Sequence, residues 1–209
     1  MTKFTDIGVE KIRHVGIIEI QRPPLNFFDI SLINQIADAL EEFDSDIEIR
    51  SSVLAAQGKA FCAGANFSDP ARQEEEARVA KGDPADSLGQ ISHLYIQAVR
   101  IFRNKKPIVA AVHGAAIGGE EATRMGLANV CVPQDQVRAE ALKLAAEIAE
   151  CSPLGLLSTR ATMRAGLADR VMAATNHELA EQTRLRATED FKEGVKATEE
   201  RRVANFKGR

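Results

Sequence analysis

Two stretches of this 209-residue chain put small residues just past what read as strands: "GKAFCAGAN" at residues 58–66 and "HGAAIGG" at residues 113–119. Glycine and alanine there let a ligand approach the main chain and leave N–H groups free to donate to an oxygen. One such N–H from each turn would make an oxyanion hole, in which fixed donors meet negative charge as it develops on a carbonyl oxygen. The simpler alternative is that both are tight turns and nothing more. A nucleotide site fits poorly. "GAAIGG" lacks the G-x-G-x-x-G spacing and comes late in the chain, and no G-K-[ST] follows to cradle phosphate. His14, His93, His113 and His177 fall in no nucleophile or metal-ligand spacing. Cys62, Cys131 and Cys151 are an odd number without C-x-x-C, which argues against a disulfide framework and against a zinc site and suits a reducing cytoplasm. No metal is expected.

Such turns need strands before them and helices behind. Ile7, Val9 and Lys11, then Val15, Ile17, Ile18 and Ile20, alternate as strands do, with Arg13 and His14 at the reversal, so residues 6–21 read as a hairpin. The prolines of "RPPLN" end it. From an N-cap at Asp29 or Ser31, the residues Leu32, Ile36, Leu40 and Phe43 recur at helical spacing. "SSVLAAQG" reads as a buried strand ending at a glycine. Residues 68–86 are charged and interrupted by prolines, which suits a mobile surface segment or a weak helix. Leu88, Ile91, Tyr95, Ala98 and Phe102 mark an amphipathic helix, Pro107 opens a strand "IVAAV", and "NVCV" at residues 129–132 reads as one more strand. Helical patterns then cover 135–150, 153–165, 168–187 and 190–207, the last opening on a capping box of Asp190 and Glu193. The order predicts an α/β core over residues 1–134 and a helical region over 135–209.

Composition bounds the function. A hydrophobic content of 44% with 27% charged residues is that of a globular chain, and a net charge of −3 gives no general attraction to nucleic acid or anionic membrane. The N-terminus shows no apolar h-region, and no apolar run reaches the length of a membrane span, so a cytoplasmic protein is expected. Basic residues crowd "EERRVANFKGR", either as one local anion site or as a solvated helix face.

In sequence order, "RPPLNFFD", "GKAFCAGANFSD", "KPIVAAVHGAAIGG", "EEATRMGLANVCVP" and "TEDFKEGVKATEERRVANFK" resemble successive landmarks of the enoyl-CoA hydratase/isomerase (crotonase) superfamily. The resemblance covers nearly the whole chain. It implies an α/β fold, a spiral of strand-strand-helix turns, closed by a helical region that forms trimers, often paired into hexamers. It implies acyl-CoA thioesters as substrates, with coenzyme A part of the substrate and no separate cofactor. The two oxyanion donors map to the backbone N–H groups of Ala65 and Gly119. Ala63, Gly64, Ala65 and Asn66 would line coenzyme A, with Asn66 standing where the family commonly has aspartate, and Arg201 falls at a basic position that meets a CoA phosphate, a role suited to arginine.

The resemblance breaks after Gly119. A hydratase of this superfamily continues through another glycine, a first glutamate, a strand and a glycine-rich loop carrying a second glutamate, so that two carboxylates flank the alkene for acid–base work. Here "EEATRMGLANV" follows at once and resembles a later helix and strand. The first glutamate position is held by Ala122, the second has no counterpart, and Glu120 and Glu121 stand near, either as substitute acid–base residues or as helix N-terminal acids. Gly119 is either the second glycine of the oxyanion turn or the residue that opens the later helix. The chain is a shortened form of the fold or two pieces of a longer one. Two functions follow: an acyl-CoA enzyme of hydratase or isomerase type, or an acyl-CoA-binding or assembly subunit without the catalytic glutamates.

Overall fold

Alternating residues in β1 (Ile7–Ile12) and β2 (Val15–Ile20) pair the two strands antiparallel, Ile7 opposite Ile20 and Ile12 opposite Val15, with Arg13 at φ 52° turning the chain. The computed structural model describes residues 4–66, 85–114 and 118–209, with side chains from residue 93 onward in the second stretch. Most of the segment expected to be mobile or weakly helical, 68–86, lies outside the described residues, as do the side chains of Leu88 and Ile91.

β3 (Ser51–Ala56) joins β2 in parallel and β4 (Ile108–Ala110) joins β3 in parallel, giving one sheet in the order β1-β2-β3-β4. Because side chains alternate faces, each inner strand serves two cores. Ile18 and Ile20 meet Leu32, Ile36, Leu40 and Phe43 of α1 (Ile30–Ser45) on one side. Val15, Ile17, Val53 and Ala55 meet Ala141, Ala145 and Ala149 of a later helix, Val137–Ala149, on the other. Alanines four apart give that helix a smooth stripe, close enough for Ser51 Oγ to donate to Ala145 O at 2.7 Å. Gly16 faces α1, and a Cβ there would stand 2.5 Å from the Phe43 ring.

Of the two N-caps expected, Asp29 is the one used, accepting from Leu32 N at 2.9 Å. At the other end of α1 the buried Lys106 donates its ammonium to the carbonyls of Phe43 and Asp46, capping the helix and fixing the approach to β4. Burial pushes that ammonium's pKa down. Helix α2 (Ala85–Arg103) lies on α1 through Arg100, which reaches Asn34, Asp38 and Glu41. After β4 come α3 (Gly119–Arg124), a 3-10 turn (Gln134–Gln136), α4 (Val137–Ala149), α5 (Pro153–Met163), α6 (Leu167–Arg186) and α7 (Glu189–Glu199). α6 runs along α2, where Tyr95 donates to Glu178 at 2.7 Å. Among the described residues no helix is long and apolar enough to cross a membrane.

Two expectations are corrected. Residues 129–132 form no strand, because β4 is the last strand described and brings no partner to them; Val130 is 50% exposed. The final helix ends at Glu199, well before residue 207, and begins at Thr188, whose hydroxyl caps Phe191 N at 3.1 Å in place of the Asp190 and Glu193 capping box. Those two acids hold the returning tail instead. Asp190 accepts from Lys207 N and Gly208 N, both at 2.6 Å, and Glu193 accepts from Asn205 N at 2.8 Å and from Arg202 at 2.6 Å.

The Arg202 hydrogen bond, helped by the Asn205 N–H, lowers Glu193 to about 2 from 4.5. A carboxylate depressed in the folded state contributes fully above its unfolded value and fails as pH falls through its folded one. The Asn205 amide resonance should therefore titrate with a midpoint near 2. A midpoint near 4.5 would mean that Glu193 does not hold the tail.

Candidate functional site

The loop between β2 and α1 carries the support for the first small-residue turn. Arg22 spans Asp6 and Asp29, each at 2.7 Å, which ties the loop to β1 and to the cap of α1. Its hydrogen bond holds Asp6 below the usual carboxylate range, against the opposing effect of burial. Between these anchors Asn26 turns inward at φ 51°, a left-handed conformation that asparagine tolerates better than most residues, and its side chain is fully buried. Its Nδ2 donates to Gln57 O at 2.5 Å and to Ala60 O at 2.7 Å, and its Oδ1 accepts from Arg22 N at 3.0 Å. One carboxamide thus fixes both ends of the 57–60 turn.

Main-chain bonds continue the grip. The N–H groups of Gln57, Lys59, Phe61 and Ala63 donate in turn to Ile20 O, Pro24 O, His113 O and Leu25 O, each at 2.9 Å. This alternating series stops at Ala65, whose N–H donates to no described residue. Gly64, at φ 83°, donates nothing either, but its carbonyl accepts from Phe28 N at 3.0 Å and so aims the peptide that follows.

His113 and Gly114, which open the second stretch, lie against the first turn. Gly114 sits at φ 95°, and a Cβ on it would lie 2.9 Å from Ala60 Cα, so only glycine lets the two backbones meet there. His113 Nε2 donates to Gly58 O at 3.2 Å. Residues 115–117 lie outside the described residues, and Gly118 and Gly119 run directly into α3, Ala122 N donating to Gly118 O at 2.9 Å. Gly119 is therefore, by its backbone, the first residue of the later helix. Its flesh is against Cys131, whose Sγ would be 2.5 Å from an added Cβ.

Of the other candidates, Glu120 and Glu121 are both exposed on the first turn of α3, and Glu121 reaches Arg124 at 3.5 Å. Ala63 is exposed, while Gly64, Ala65 and Asn66 are half-buried. Arg201, at φ 50°, ends α7 with an exposed side chain and makes no hydrogen bond or ion pair to residues 58–66. Among the described residues no three His, Cys, Asp or Glu side chains gather to hold a metal ion. Past the ends of β3 and β4, beside Gly58, lies a cavity of about 190 Å³ walled by Ala55, Ala111 and Val137, with His113, Gln134 and Arg138 as its polar lining. Sequence reasoning missed Asn26, Lys106 and this lining. Asn26 was part of a recognised stretch, but nothing in its type or spacing told a buried clamp from an ordinary loop asparagine.

The fold is that of known solved structures. The enoyl-CoA hydratase/isomerase from Pseudoalteromonas atlantica superposes with a TM-score of 0.75 at 23% identity, covering 97% of this chain and 100% of that one. The sequence profile described as "Enoyl-CoA hydratase/isomerase" matches residues 10–120 and again 117–209, and the chain belongs to that family. The two matches overlap at residues 117–120, which include the glycine pair. Among sequence relatives, a "Probable enoyl-CoA hydratase" of Rhizobium meliloti is 33% identical over 117 residues, 56% of this chain and 41% of that protein. The 2,3-dehydroadipyl-CoA hydratase of Escherichia coli is 23% identical over 266 positions, taking in 99% of this chain and 100% of the relative. This chain spans about two fifths of the length of several curated relatives it matches: 38%, 41% and 39%.

Asn26→Ala would remove the donor of two part-buried carbonyls and should cost about 1–3 kcal/mol of stability. Denaturant unfolding measures this, and a loss below about 0.5 kcal/mol would show that the turn does not rest on Asn26.

Proposed function

We propose that this chain binds acyl-CoA thioesters at the 58–66 turn and stabilises an enolate-like oxygen through backbone donors, chiefly the Ala65 N–H. What supports this is the series of tied N–H groups that ends at Ala65: the turn leaves one donor with no partner among the described residues, where the family resemblance places one. Negative charge builds on the thioester oxygen as the enolate forms, and a donor already fixed in place needs no reorganisation to meet it. The Gly119 N–H is the second donor; as a first-turn helix group it has no partner within α3. Ala63, Gly64 and Asn66 line the CoA, and Arg201 meets a phosphate of it. Coenzyme A enters as part of the substrate, without a separate cofactor.

Hydration or isomerisation also needs a proton carrier. Glu120 and Glu121 are the acids nearest the second donor in sequence, and the exposure of both is the observation that favours a second reading, an acyl-CoA-binding or assembly subunit without turnover. In either reading the chain assembles as a homotrimer or hexamer. Supporting this, α5 and α6 contain no buried residue and Leu154 and Met163 are each 80% exposed.

Calorimetry with butyryl-CoA and an assay of crotonyl-CoA hydration separate the cases. Binding with turnover that Ala65→Pro lowers by about a hundredfold or more supports the enzyme, since proline removes the donor. Binding without turnover supports the second reading. Failure of any CoA ester to bind overturns both.

A further inference from the structure

The cavity beside the 58–66 turn has a chemistry of its own. Its volume is about 190 Å³, room for a short chain. Its walls are apolar and small, Ala55, Ala111 and Val137, and three side chains bring polar atoms to it: His113, Gln134 and Arg138. Gly58 belongs both to the cavity and to the turn that ends at Ala65, so an acyl group held by that turn has the cavity at hand.

Arg138 decides what the far end of such a group should be. Its guanidinium pairs with Glu19 Oε1, and Gln57 Nε2 donates to Glu19 Oε2 at 2.9 Å, so both carboxylate oxygens are engaged. Arg138 itself has no second acceptor among the described residues, although a guanidinium carries five N–H donors. Elsewhere in the chain the well-held arginines each span two carboxylates: Arg22 holds Asp6 and Asp29, Arg100 holds Asp38 and Glu41, and Arg202 holds Glu193 and Glu200. Arg138 has one and faces a cavity. Gln134, at the 3-10 turn before α4, makes no side-chain hydrogen bond to a described residue and adds an amide donor beside it. His113 donates through Nε2 to Gly58 O, and its Nδ1 bonds no described residue.

We propose that this cavity receives the terminal carboxylate of a short dicarboxylic acyl thioester, with Arg138 as its second-carboxylate partner and Gln134 as an added donor. The proposal rests on the acyl-CoA reading of the 58–66 turn and narrows its substrate class. Glu19 supports the site by orienting the guanidinium and not by touching the ligand.

Calorimetry with adipoyl-CoA and hexanoyl-CoA, equal in chain length and differing only in the terminal group, tests it. Adipoyl-CoA should bind at least about tenfold more tightly, as a charge-assisted pair allows. Arg138→Gln should reduce that ratio to below about threefold, and Gln134→Ala should reduce it in part, which keeps the test open if the Arg138 variant folds poorly. Equal binding of the two thioesters by the unaltered protein overturns the carboxylate pocket and leaves the acyl-CoA reading standing. Tighter binding of adipoyl-CoA that both variants keep also overturns it. Binding of neither thioester overturns both.

Discussion

The carboxamide of Asn26 is the contact on which the rest of the site depends. It is fully buried, and its Nδ2 donates to the carbonyls of both Gln57 and Ala60. A buried polar group of this kind is costly if half satisfied and rigid if fully satisfied. Here each end of the amide has a partner, so the turn after β3 is locked. The second turn needs that lock, because Gly114 lies directly on Ala60 and the His113 carbonyl receives the Phe61 N–H.

Two further constraints carry this rigidity back into the core. Arg22 fastens the loop bearing Asn26 to β1 and to the N-cap of α1, and Lys106 fastens the start of β4 to the other end of the same helix. Helix α1 is thereby the common frame for both strand-end turns. Its own place is set by Leu32, Ile36, Leu40 and Phe43 against the sheet. Burial of apolar side chains supplies the stability, and a few charged or amide groups at the helix ends supply the geometry.

Much of this architecture could be read from the residues. The hairpin, α1 and the strands at 51–56 and 108–110 follow from periodicities that are strong because one or both faces are buried. The helices from α4 onward follow from helical spacing, although α5 and α6 bury no residue within this chain. The errors fall where tertiary contacts decide. "NVCV" has strand-forming residues but no strand beside it, and the Asp190 and Glu193 pair has capping spacing but holds the tail while Thr188 caps. In the two small-residue stretches, Gly58 and Gly114 mark close backbone approaches, which leave a trace in sequence. The Asn26 clamp and the pairing of Arg138 with Glu19 leave none, because each joins residues far apart in the chain with no spacing rule between them.

The chemistry that the turn can perform is set by which N–H groups the fold has already used. Four successive alternate donors, from Gln57 to Ala63, are tied to the protein, and Ala65 follows them with no partner among the described residues. Side-chain acids are placed differently: Glu120 and Glu121 are open to solvent on a short helix. The proposed thioester recognition therefore rests on the main chain and not on these acids. The sharpest test is the Ala65 amide resonance followed during titration with butyryl-CoA and with butyl-CoA, the thioether that lacks the carbonyl. A downfield shift of the Ala65 amide proton with the thioester and not with the thioether is the predicted result. The same response to both ligands, or none from Ala65 while neighbouring residues respond, would contradict it.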